Sequence, residues 1–168
     1  MKFQSIKEYF YKLNTIGFIL LLMPLVAFIF LYYLPVDREL WVPERQQSLA
    51  LLGIFLALYL VGLTVVNWWF REKMRSMTKV IELARKMDKF SAASIKRMLT
   101  YCGFSLLMAV GFFLTSDSLF TGLFLFIALV MLIHWPSRTS FCRGLGLQGG
   151  ERDMVLHNLD LYQKKRRA

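Results

Sequence analysis

The chain has 168 residues, is 57% hydrophobic and 15% aromatic, and carries a formal net charge of +10 with only two cysteines. Its apolar residues come in long uncharged blocks, which excludes an ordinary soluble domain and a disulfide-stapled scaffold and points to an all-α polytopic integral membrane protein. Basic residues beside such blocks speak first of topology and of anionic headgroups in the lipid bilayer, and only then of nucleic acid.

Residues 1–14 carry Lys2, Lys7 and Lys12 against Glu8, with Phe3, Ile6, Tyr9, Phe10 and Leu13 at helical spacing. That pattern predicts a short amphipathic helix lying at the interface and leading into the first span. Residues 15–34 are uncharged, and twenty residues of helix reach about 30 Å, the thickness of a hydrocarbon core. The run exceeds the apolar region of a signal peptide and no small-residue cleavage site follows, so a retained anchor is expected. Pro24 should kink this span and free the carbonyl of Leu20, which favours packing against protein on that side.

Residues 35–47 hold Asp37, Glu39 and Glu44 against Arg38 and Arg45, and Pro35 and Pro43 argue against a continuous helix. Tyr32, Tyr33 and Trp41 suit an aromatic belt. Residues 48–70 form the expected second span, closing on Trp68, Trp69 and Phe70 before Arg71. Within it Gly53 and Ala57 are a small-x-x-x-small pair, a candidate for close helix packing.

Residues 71–97 carry nine Lys/Arg against Glu72, Glu82 and Asp88. On a helical wheel Val80, Leu83, Ala84, Met87 and Phe90 gather on one side, extended by Met77 and Ile81. Arg71, Arg75, Lys79, Glu82, Lys86 and Lys89 gather opposite, with Glu82 and Lys86 as an i,i+4 pair. The segment reads as a basic amphipathic cytoplasmic helix between spans 2 and 3, resting on lipid or a partner and ending in a break at Ser91-Ala92-Ala93-Ser94. Residues 98–114 and 119–135 are the third and fourth spans, with residues 115–118 as a tight turn. Residues 136–168 read as a polar tail with Gly144, Gly146, Gly149 and Gly150 as hinges, a short helix near residues 153–162, and Lys164, Lys165, Arg166 and Arg167 at its end.

Residues 1–14, 71–97 and 136–168 hold 19 of the 21 basic residues. Under the positive-inside rule this predicts two hairpins with both termini cytoplasmic. The strong charge bias and short length fit a bacterial inner membrane, with an organelle membrane as the alternative.

Residues 144–149 match G-x-G-x-x-G literally, but the dinucleotide fingerprint needs a preceding strand and a following helix, so a connector is expected. His134 lies at the end of the fourth span, and the other histidine, His157, falls in the tail, so no facing axial pair for haem is expected. His134 is read as an interfacial residue. The four spans contain no Asp, Glu, Lys or Arg, which weighs against a proton-driven pump. Cys102 and Cys142 form no C-x-x-C pair and are expected as free thiols. No cofactor, metal or specific nucleic acid is expected, and no catalytic constellation emerges. The expectation is a non-enzymatic accessory or scaffold subunit, bound to other membrane subunits or to itself through its cytoplasmic face. The alternative is a small oligomeric transporter, channel or lipid-handling protein. Arg71, Arg75, Lys79, Lys86, Lys89 and Lys164–Arg167 are the candidate lipid or partner contacts.

Overall fold

The computed structural model describes residues 5–33, 45–78 and 83–157. These residues form six α-helices and no strand: α1 (Ile6–Tyr33), α2 (Arg45–Thr78), α3 (Leu83–Thr115), α4 (Ser118–Ile133), α5 (Arg138–Gly144) and α6 (Gly149–His157). Three of them, α1, α2 and α3, are long and apolar enough to cross a bilayer. The 16 residues of α4 reach about 24 Å. This helix joins the count only together with α5, from which it is bent by 72°. Lys79, Glu82, Val80, Ile81, Trp41 and the rest of residues 34–44, and Lys164–Arg167 lie outside the described residues.

The chain folds as two compact units. The first gathers Met1–Phe18, Trp69–Lys96 and Trp135–Ala168, and the second Ile19–Trp68 and Arg97–His134.

In the first unit, Ile6, Tyr9, Phe10 and Leu13 are buried at the spacing of one α-helical face. They share a core with Met74 and Met77 of α2, Met87 and Phe90 of α3, Phe141 of α5 and Val155 of α6. Phe141 is its centre: its ring meets Phe90 edge-on at 4.9 Å and Phe10 at 6.0 Å. The Tyr9 hydroxyl, buried in the same core, donates to the Met87 carbonyl at 2.7 Å.

In the second unit Tyr59, Met108, Phe120, Phe124 and Ile127 are buried. Phe28 stacks on Phe124 with ring centroids 4.4 Å apart. A side chain at Gly111 would run into the Phe120 ring, so the glycine is what lets that ring close on the α3 backbone. The turn between α3 and α4 is two residues long. Ser116 takes a positive φ of 53°, and the Asp117 carboxylate caps α4 by accepting from the Leu119 amide at 3.0 Å.

Several expectations are corrected. The basic stretch is not a separate helix. Its first part is the end of α2, its second the start of α3, and α3 continues without interruption through Ser91–Ser94 to Thr115. The serines do not break it because Ser91 turns its hydroxyl back to the Asp88 carbonyl at 2.9 Å, and Ser94 is buried on a packed face. Within the helix expected over residues 1–14, the described part from Ile6 on is the beginning of α1, and Ile6, Tyr9, Phe10 and Leu13 are buried in protein instead of lying on the interface. Ala84, placed on the apolar stripe by the wheel, is exposed. Residues 136–157 are not simply a polar tail: two helices and the turn between them contribute Phe141, Cys142, Leu145, Leu147 and Val155 to the core. The helix expected near residues 153–162 starts earlier, at Gly149, and is described as far as His157.

Candidate functional site

A groove of about 630 Å³ opens in the first unit between the first turns of α1 and the segment running from Trp135 into α5. Ser5-Ile6-Lys7-Glu8 sets its near wall as a capping sequence: the Glu8 amide donates to Ser5 Oγ at 3.2 Å. The Glu8 carboxylate then meets Lys12 one turn on, at 2.6 Å. Opposite, Ser137 caps α5 by accepting from the Ser140 amide at 3.1 Å, which fixes the direction in which Arg138 leaves the helix start. The Arg138 guanidinium lies 5.6 Å from the centre of the Phe10 ring, close enough for cation–π attraction. The far end is aromatic. Trp135 donates through Nε1 to Asn14 Oδ1 at 3.1 Å, and Phe18 packs on its ring at 4.8 Å. Tyr11 stands largely exposed beside them.

This site combines a cation held by an aromatic ring, a second cation at Lys7, and an aromatic end. Chemically it can hold an anion attached to an apolar body. A helical wheel does not show it because its residues are distant in sequence. The usable signals were the Ser-x-x-Glu start and the Trp135-Pro136-Ser137-Arg138 string.

The residues singled out from sequence fall elsewhere. Arg71 and Arg75 are exposed on the last turns of α2, Arg75 lying 3.9 Å from an exposed Glu72. Lys89 is exposed on α3. Lys86 is not on a solvated face: it is 8% exposed and its ammonium meets Glu151 of α6 at 3.0 Å. Pro24 is buried within α1. Gly53 and Ala57 are exposed on α2, and a side chain at Gly53 would meet no heavy atom within 4 Å.

His134 ends α4. Its Nδ1 lies 2.9 Å from the Val130 carbonyl, a contact that needs the proton on that nitrogen, and its own carbonyl accepts from Arg97. Tyr101 donates to Asn67 Oδ1 at 2.9 Å beside it. Cys102 and Cys142 are free and buried. Among the described residues no group of three or more His, Cys, Asp or Glu could hold a metal ion.

The glycines of residues 144–149 have a structural role. Leu147 donates its amide to the Cys142 carbonyl at 3.0 Å and Gly146 to the Arg143 carbonyl at 3.3 Å. With Gly146 at a φ of 58° this is a Schellman cap closing α5, and its apolar contact is the buried Leu147.

A second groove, of about 430 Å³, is lined by Arg143, Arg152, Gln148 and Cys142. Burial pushes the Cys142 thiol above its ordinary value, and the nearby Arg152 offsets only part of this.

No family model matches the chain, and neither a curated protein nor a solved structure does.

Proposed function

We propose that the chain is a non-enzymatic, four-span subunit of a bacterial inner-membrane complex, with both termini cytoplasmic and an extramembrane helical unit that docks neighbouring subunits. One observation carries the reading. The segments that the charge count assigns to one side, residues 1–14, 71–97 and 136–168, are nearly those of the first unit, Met1–Phe18, Trp69–Lys96 and Trp135–Ala168. The chain leaves that unit after Phe18 and returns at Trp69, then leaves after Lys96 and returns at Trp135. Two departures and two returns fit two membrane hairpins, with α4 as the short fourth span.

The extramembrane residues form a packed core, and a packed unit presents a fixed surface. Arg71, Arg75 and Lys89 are the exposed cations offered for an acidic partner surface.

The test is native mass spectrometry of assemblies released directly from membrane vesicles. The expected species is heavier than the single 19.7 kDa chain and falls back to that chain when Arg71, Arg75 and Lys89 are replaced together by Gln. A lone chain under the same gentle release sinks the docking reading. The topology is tested separately by single cysteines in a background free of Cys102 and Cys142. Asp117→Cys should react with an impermeant maleimide on intact cells, and Glu72→Cys only after permeabilisation; the reverse pattern rejects the orientation.

A further inference from the structure

We propose that the groove between the start of α1 and Arg138 is a specific site for the headgroup phosphate of an anionic glycerophospholipid. The proposal rests on the membrane placement of the chain and not on partner docking.

Three features define the ligand. The first is charge: Lys7 and Arg138 line the groove, and the carboxylate of Glu8, its acidic lining residue, is held by Lys12 at 2.6 Å. A headgroup that carries its own cation would bring it against these two, so the site favours a headgroup with net negative charge. The second is pre-organisation. Arg138 springs from the capped start of α5 and rests on the Phe10 ring, so its planar fork is aimed before the ligand arrives, and that fork matches phosphate oxygens.

The third is position. The groove reaches Asn14 on α1 and Trp135, the two points where the sequence passes from polar segment to apolar run. Tryptophan and tyrosine at such a boundary lie at headgroup level. Phe18, 55% exposed and packed on Trp135, continues the aromatic wall toward the apolar part of α1. A free phosphate would use the cations and leave the aromatic end unused. A phospholipid uses both. The cavity volume falls in the range of sites that enclose a small ligand.

The test uses the full chain in vesicles of phosphatidylcholine with a minority of phosphatidylglycerol, extracted into mild detergent, with retained lipid counted by native mass spectrometry. The wild-type chain should keep one phosphatidylglycerol in preference to phosphatidylcholine. Lys7→Gln and Arg138→Gln should each lower that retention about fivefold, the effect of one cation near an anionic surface. Lys73→Gln, an exposed cation on α2 outside the groove, should leave retention unchanged. Equal retention of the two lipids, or an equal drop for Lys73→Gln, overturns the site in favour of diffuse attraction. Displacement of the lipid by millimolar inorganic phosphate assigns the groove to the free anion and also overturns it. If Arg138→Gln does not fold, Lys7→Gln, at an exposed position, decides the outcome alone.

Discussion

Arg97 donates through Nη2 to the backbone carbonyl of His134 at 2.7 Å, tying the third helix to the last turn of the fourth. Arg97 is only 7% exposed, so this cation is committed to a helix C-terminus, where the orphan carbonyls and the helix dipole favour positive charge. Because the acceptor is a backbone atom, Arg97→Gln should cost about 1.5–3 kcal/mol, the range for a charge-assisted hydrogen bond. His134→Ala should cost less, since it leaves the carbonyl in place. Thermal unfolding of both variants in one detergent checks the order. A larger loss for His134→Ala would mean that the imidazole, and not the guanidinium, holds this end of α4.

Gly146 separates a structural from a nucleotide-binding reading of residues 144–149. Its φ of 58° is the left-handed conformation that closes the Schellman cap. Gly146→Ala should destabilise the chain by about 1–2 kcal/mol through backbone strain alone. Gly150→Ala, within α6 and with open space around the added methyl, should be neutral or slightly stabilising. Differential scanning fluorimetry of the pair gives the comparison.

The long uncharged runs were legible from sequence because crossing a bilayer requires some twenty apolar residues in a row. The helices over residues 15–33 and 98–114 therefore appear where expected. The polar segments were less legible. Ile6, Tyr9, Phe10 and Leu13 mark an apolar face, but nothing local says whether lipid or protein covers it. The covering residues, Phe90 and Phe141, are far away in sequence. Lys86 shows the same limit. A wheel sorts residues around one axis and has no knowledge of Glu151, so a half-buried ion pair looks like part of a solvated basic face. Ser91 and Ser94 look like a break in the sequence because either serine could N-cap a new helix. Once a hydroxyl is satisfied by its own helix, as Ser91 is by Asp88, it no longer serves as a cap.

Cys142 should be slow to react. Burial raises its pKa above the ordinary thiol value, so near neutral pH it remains a thiol and not the nucleophilic thiolate. Iodoacetamide should modify Cys142 markedly more slowly than a free thiol at the same pH, and denaturant should abolish the difference. The linkage has a definite sign. The folded-state pKa lies above the unfolded one, so this group's contribution to stability is complete below the unfolded thiol pKa and is lost as pH rises through the folded value. Unfolding curves of wild type and Cys142→Ser should therefore converge toward alkaline pH. A gap that widens instead would contradict the burial of the thiol.

The Lys86–Glu151 pair offers the sharpest test of the packing of the first unit. Lys86 comes from α3 and Glu151 from α6, and the lysine side chain is 10% exposed against 40% for the glutamate. Removing the two partners is therefore not equivalent. Glu151→Gln strands a nearly buried ammonium, whereas Lys86→Met leaves a carboxylate that water reaches and replaces a charge by an apolar side chain in an apolar core. Glu151→Gln should cost about 1–3 kcal/mol, Lys86→Met less, and the double variant less than the sum of the two. The measured coupling in a double-mutant cycle should be about 0.5–3 kcal/mol. Were residues 136–157 a loose tail, Glu151 would have no fixed partner. All three variants would then unfold with the wild type, and the coupling would be zero.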